Sequence, residues 1–209
     1  FRRIEEFRAS ERQRLFVEVG IGELTFFGLA ITRNQRPNPG GSAAWHTPGV
    51  TIVVVSGIPG SGKTTLAGQL RDRLRTPMIS KDVIKESLMD SLGSGDAEWA
   101  RSLGAAAPHV MNQLVGQFPT DAIVEAHFYR GVAEAHLMAM GQPLVQVYCH
   151  CGVDIAWNRY RARRDDPDRH PGHRPEHQDE LATTAWRTAK PEPLDLPGPL
   201  IEVDTSGTI

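Results

Sequence analysis

From Val50 onward, apolar and polar positions alternate in two registers. Short apolar runs bounded by turn residues fall at about 50–56, 77–80, 121–126, 143–149 and 199–204. Between them lie longer stretches whose apolar residues recur three or four apart, at about 63–75, 82–92, 96–117, 130–140, 153–164 and 176–189. Most of the short runs are apolar at nearly every position, as strands covered on both faces are. Strands that alternate with helices predict an α/β domain with a parallel sheet between two helical layers. Before Val50 the pattern differs. Residues 1–33 mix charges with one apolar patch, FVEVGIGELTFFGLAI, which predicts a strand pair turning at Gly20-Ile21-Gly22. Residues 34–49, NQRPNPGGSAAWHTPG, have linker composition. The expected organisation is an extension over 1–33 without readable chemistry, a linker over 34–49 and one domain over 50–209.

Composition changes this picture little. The 209 residues suffice for one α/β core plus a smaller segment. Apolar residues make up 40%, charged residues 23%, and the net charge is −2, so charge balance offers no basis for a nucleic-acid or membrane partner. No apolar run approaches the roughly 20 residues a membrane span needs. The start, FRRIEEFRAS, has neither a signal-peptide core nor an initiator Met, as in a processed or excised piece. Cys149 and Cys151 stand two apart on an expected strand and are poor disulfide partners, so a reduced, cytoplasmic protein is expected.

The first strand candidate, TIVVVS, runs straight into Gly57-Ile58-Pro59-Gly60-Ser61-Gly62-Lys63-Thr64-Thr65. That segment fits G-x-x-x-x-G-K-[ST] at every fixed position, between a strand and a helix as the motif requires. Glycines let the backbone curl until its N–H groups point at phosphate oxygens, and the next helix offers its N-terminus to the same anion. Lys63 adds a mobile charge for the β and γ phosphates, and Thr64 a hydroxyl for Mg²⁺. Gly57, Pro59, Gly60, Ser61, Gly62, Lys63, Thr64 and Thr65 form the expected nucleotide-binding set. The chain has no N-K-x-D base reader, and Asp195-Leu196-Pro197-Gly198 lies too late to serve as D-x-x-G, so ATP is the expected nucleotide.

Two acids follow strand candidates. PMIS ends in Lys81-Asp82, with its strand expected beside the loop strand, and Asp82 is placed to take the proton of an attacking hydroxyl while also capping the next helix. Lys85, one turn on, suits an anionic substrate group or plain solvation. DAIVEAHFYRG ends in Glu125, where an acid organises Mg²⁺ or grips a substrate hydroxyl. His127 and Arg130 follow as further substrate candidates.

The stretch WNRYRARRDDPDRHPGHRPEH, residues 157–177, sets Arg159, Arg163 and Arg164 near one helix face before breaking at Pro and Gly, which suits a mobile arginine-bearing lid. Salt bridges to Asp165, Asp166 and Asp168 are the alternative. His170, His173 and His177, with Cys149, His150 and Cys151, do not match a paired zinc spacing. The last strand, LIEVDTSGT, brings Asp204 and Thr205 toward the nucleotide base.

Taken together, GIPGSGKTTLA, ISKDVIKESL, VEAHFYRG, RYRARR-x₄-RH and VDTS resemble the small P-loop kinases of the zeta-toxin, chloramphenicol-phosphotransferase and polynucleotide-kinase-like group. The resemblance spans about residues 50–207. It implies a P-loop NTPase three-layer sandwich with a five-stranded parallel sheet in the order 2-3-1-4-5. It implies Asp82 as base, Glu125 as the acid after the third strand, and Arg159 and Arg163 as lid arginines. Glu125 departs from the commoner Asp. The activity so implied is Mg²⁺- and ATP-dependent phosphorylation of a small-molecule hydroxyl, with nucleic acid not expected. Alternatives are a polynucleotide end kinase, a toxin-type nucleotide-sugar kinase, and an ATP-binding regulatory module that transfers nothing.

Overall fold

The computed structural model of the chain describes residues 14–15, 20–21, 24–25, 31–32, 51–93, 95–163, 166–167, 169–173 and 191–207. The elements of the main domain are β1 (Ile52–Ser56), α1 (Lys63–Leu74), β2 (Met78–Ser80), α2 (Lys81–Leu92), α3 (Ala97–Val115), β3 (Ala122–Glu125), α4 (Ala133–Met138), β4 (Leu144–His150), α5 (Val153–Ala162) and β5 (Leu200–Asp204). Every strand of the pattern forms within about two residues of its expected bounds. The helix expected over 176–189 lies outside the described residues, as do Arg164 and His177.

The five strands are parallel and stand in the order β2-β3-β1-β4-β5. β2 therefore pairs with β3 and not with the loop strand, correcting the expectation that the strand carrying Asp82 neighbours β1. Apolar periodicity gives a strand's faces but not its neighbours, and β3 takes the inner place with all four residues buried. At the far edge Ile31–Thr32 pairs antiparallel with β5, and Arg14–Leu15 pairs with Ile31–Thr32. Gly20 and Ile21 pair with Thr25 and Leu24, so that pairing closes between Ile21 and Leu24, one step beyond the expected turn.

Alternation along the strands splits the core in two. Ile52, Val54, Ala122 and Val124 face one way, onto Met111 and Val115 of α3 and Leu137 of α4. Val53, Val55, Ile123, Val147 and Cys149 face the other, onto Leu66, Ala67 and Leu70 of α1. A third cluster, Ile58, Cys151 and Ala156 with Trp157 and Tyr160, fastens α5 beneath the glycine loop. Burying side chains of this size stabilises the fold by about 1.5–3 kcal/mol each. The consequence for function is positional: the carboxyl ends of β1, β2 and β3 meet at one sheet edge, where ligands of such folds collect. No helix among the described residues is long and apolar enough to cross a membrane.

Candidate functional site

The loop after β1 owes its shape to glycine. Gly60 and Gly62 sit at φ 83° and 79°, in the left-handed region. A Cβ on Gly60 would also collide with the Ala156 carbonyl oxygen of α5. Gly60→Ala is therefore expected to cost about 1–3 kcal/mol from the backbone alone, before the collision is counted. An unchanged denaturant midpoint would refute that. Gly62 caps α1 without any side-chain hydrogen bond, so the first N–H groups of the helix are left to an external anion. The buried Ser61 hydroxyl likewise has no hydrogen-bond partner.

Lys63 opens α1 and is only 7% exposed. Its Nζ lies 3.9 Å from Oε1 of Glu125, which is 1% exposed at the end of β3. The Thr64 hydroxyl donates to the same carboxylate oxygen at 3.1 Å. From the end of β2, the Ser80 hydroxyl donates to the other oxygen at 2.8 Å. One buried carboxylate thus collects a cation and a hydroxyl from the start of α1 and a second hydroxyl from the end of β2, which compensates for its desolvation. An acid next to the Thr64 hydroxyl below an uncapped helix N-terminus fits a hard cation and a polyphosphate.

Asp82 stands exposed in the first turn of α2. Burial lowers the pKa of Lys81, Lys85, His127 and Arg163, and the Asp82 charge opposes that drop in each. These opposing groups mark Asp82 as the negative centre of an otherwise cationic rim. Burial, and then the charges of Lys63 and Lys81, push His127 down to about 4, so it is a neutral imidazole near pH 7. Burial also lowers Lys81 and Lys85.

Beside this rim lies a cavity of about 510 Å³ between α2, α3 and the segment after β3. Its charged and titratable lining comes from Lys81, Lys85, Arg101, His109, His127, Tyr129 and His136. The walls are otherwise largely apolar, with Pro108, Met111, Phe128, Val132 and Leu137. The Asn112 amide is anchored to the His136 carbonyl at 3.0 Å.

Other residues singled out in the sequence are held differently. Arg130 pairs with Glu192 at 2.6 Å on the exposed surface. Arg159 donates to the carbonyls of Thr205, Ser206 and Gly207 at 2.7, 3.2 and 2.7 Å, fastening the loop after β5. Thr205 joins that loop to the phosphate loop, its hydroxyl 2.6 Å from the Ser61 carbonyl oxygen and 2.9 Å from that of His150. Hydrogen bonds from the Ser206 side chain and then from the Ser206 N–H, the latter at 2.8 Å, hold the Asp204 pKa below the usual carboxylate value. Arg163, at the end of α5, faces the site: its pKa is lowered by desolvation and then by Arg169, while Asp82 and Glu125 oppose the shift. Past it, His170 Nδ1 accepts from the Gly172 N–H at 3.0 Å, which leaves Nε2 to face Asp90 at 3.0 Å and pins this segment to the end of α2. Ser80, Lys81 and Arg101 had no distinguishing spacing in the sequence; only the fold brings them to the site.

A family model described as an AAA domain matches residues 52–185, well over half the chain. The chain belongs to the AAA domain family. This AAA domain is similar to a solved structure titled a "putative kinase" from Chloroflexus aurantiacus, at 31% identity and a TM-score of 0.68, covering 77% of this chain and 90% of that one. It is also similar to a gluconokinase from Sinorhizobium meliloti at 16% identity and a TM-score of 0.50, covering 77% and 84%, a likeness of fold alone. No curated protein matches the chain.

Proposed function

We propose that the protein is an ATP-dependent phosphotransferase that moves the γ-phosphate of ATP to a hydroxyl of a small molecule. The observation that carries this reading is the convergence of Lys63, Thr64 and Ser80 on buried Glu125, with a cavity of small-molecule size beside it. The likeness to the Chloroflexus aurantiacus kinase at 31% identity supports it. The glycine loop and the N-terminus of α1 bind the polyphosphate. Lys63 and Arg163 hold the transferring group against its developing charge. Thr64 and Glu125 are the residues that would hold Mg²⁺, which when bound neutralises phosphate charge. Asp82 orients the acceptor hydroxyl and takes its proton as the bond from phosphorus to ADP breaks and a new one to the acceptor oxygen forms. Arg159 and Thr205 act at one remove, holding the nucleotide-side loop in place. Within this reading, the narrower likeness to the zeta-toxin, chloramphenicol-phosphotransferase and polynucleotide-kinase-like group rests on Asp82, Glu125 and Arg163. Residues 1–33 and 34–49 are proposed as extension and linker, with the kinase domain over 50–209.

Incubation with Mg²⁺ and γ-labelled ATP against a pool of hydroxylated metabolites tests the proposal. A labelled acceptor is expected. ATP binding with no labelled product, together with nucleotide-dependent capture of a protein, would instead identify a regulatory module.

A further inference from the structure

The acceptor cavity has one sign of charge. Lys81, Lys85 and Arg101 line it, and among the described residues no carboxylate does. Asp82 and Glu86 influence the lysines from outside the lining. None of the three cations lies in an ion pair with a described carboxylate, in contrast to Arg71, Arg130 and Lys63. The two lysines sit one helical turn apart on α2, and each is partly desolvated, which disfavours its charge. Two unpaired, like-charged ammonium groups held together at a cavity wall cost free energy that an oxyanion of the right size would recover. The remaining wall is mostly apolar and complements a carbon skeleton, not a polycation or a nucleic-acid strand. His127 links the two regions, lining the cavity while feeling the Lys63 charge at the phosphate loop.

We propose that the acceptor carries, besides its hydroxyl, an oxyanion group bound by Lys81, Lys85 and Arg101. The inference rests on the phosphotransferase reading and narrows its substrate to small hydroxylated acids, either carboxylates or phosphate monoesters. Polycationic antibiotics and neutral sugars are thereby disfavoured. The hydroxyl points toward Asp82 and the acid away from the phosphate loop.

The test uses the full chain with Mg²⁺ and a non-hydrolysable ATP analogue. Calorimetry is run against a panel of three- to seven-carbon hydroxy carboxylates and sugar phosphates, each matched with its amide or dephosphorylated counterpart. The same panel is then assayed for label transfer from γ-labelled ATP. At least one acid is expected to bind about 10- to 100-fold more tightly than its neutral partner, the margin of a charge-assisted contact. The carboxylate and phosphate arms show which oxyanion is used. Lys85→Gln with Arg101→Gln is expected to raise KM for that acid by a similar factor while KM for ATP stays put. If no acid exceeds its neutral counterpart, or if neutral and amine compounds are labelled equally well, the inference is overturned even though transfer itself stands. If an acid binds selectively but no label moves, the cavity assignment holds and the phosphotransferase reading falls.

Discussion

Lys63→Met is expected to lower the transfer rate by about 100- to 1000-fold, the loss that follows removal of one preorganised group facing transition-state charge. Lys63 is nearly buried and sits where α1 begins, with a single described ion-pair partner, Glu125, at 3.9 Å. That distance is at the outer limit for a pair, so the ammonium is not neutralised locally and its field remains available to an incoming phosphate. Its rivals for the same task are weaker. The helix N-terminus offers about half a unit charge. Arg163 stands at the end of α5, and burial and then the like charge of Arg169 work against its charge there.

A structural explanation for the same loss has to be separated. Removing one partner of a buried pair strands the other, which in unfavourable cases costs about 3–5 kcal/mol. Here the cost should be nearer 1–2 kcal/mol, since the Thr64 and Ser80 hydroxyls still donate to Glu125. Adding Glu125→Gln to Lys63→Met should restore the thermal midpoint without restoring transfer. Transfer within tenfold of the parent in the folded single variant would remove Lys63 from the chemistry.

Much of this was legible in the residues. Parallel strands buried on both faces are written as apolar runs, and the phosphate loop needs glycines at spacings that steric constraints dictate, with Gly60 packed against Ala156 as the physical reason. Asp82 and Glu125 stand just past and at the ends of β2 and β3, the position that singled them out in the sequence. What stayed hidden is pairing across long separations. Arg130 finds Glu192 and Arg159 finds the carbonyls after Thr205, yet helical periodicity only says which face each occupies. The strand order, implied by the family resemblance, is the one that forms, but no local pattern tells β2 that β3 will stand between it and β1, which is why the strand carrying Asp82 was expected beside β1. Ser80 read as the end of a strand, and only the approach of β3 turns its hydroxyl into a ligand of Glu125. The three cations of the cavity lie on α2 and α3, which direct helix packing, not sequence spacing, brings together.

Asp82→Asn is the second large effect, an expected fall in kcat of about 100- to 10,000-fold with ATP affinity unchanged. The substitution keeps size and hydrogen-bonding reach and removes only the charge. A role confined to helix α2 predicts something much smaller. An acid in the first turn contributes about 0.3–1 kcal/mol through the helix dipole, which Asn would partly retain. Ser80 holds the N-cap position of α2 with its hydroxyl committed to Glu125 and makes no cap hydrogen bond, so Asp82 serves the helix start from the first turn, through the dipole alone. His127 is the competing proton acceptor, since it is neutral and close enough to feel the Asp82 charge. An imidazolium formed there would be repelled by Lys63 and Lys81, the same charges that help hold its pKa near 4. Asp82 carries the opposite sign, and its charge draws the acceptor hydroxyl inward past that cationic rim. His127→Asn should therefore weaken acceptor binding with a modest change in kcat, whereas Asp82→Asn should collapse kcat with a modest change in KM. The reverse pattern would transfer the proton-accepting role to His127. Turnover within about threefold of the parent in Asp82→Asn would end the case for Asp82.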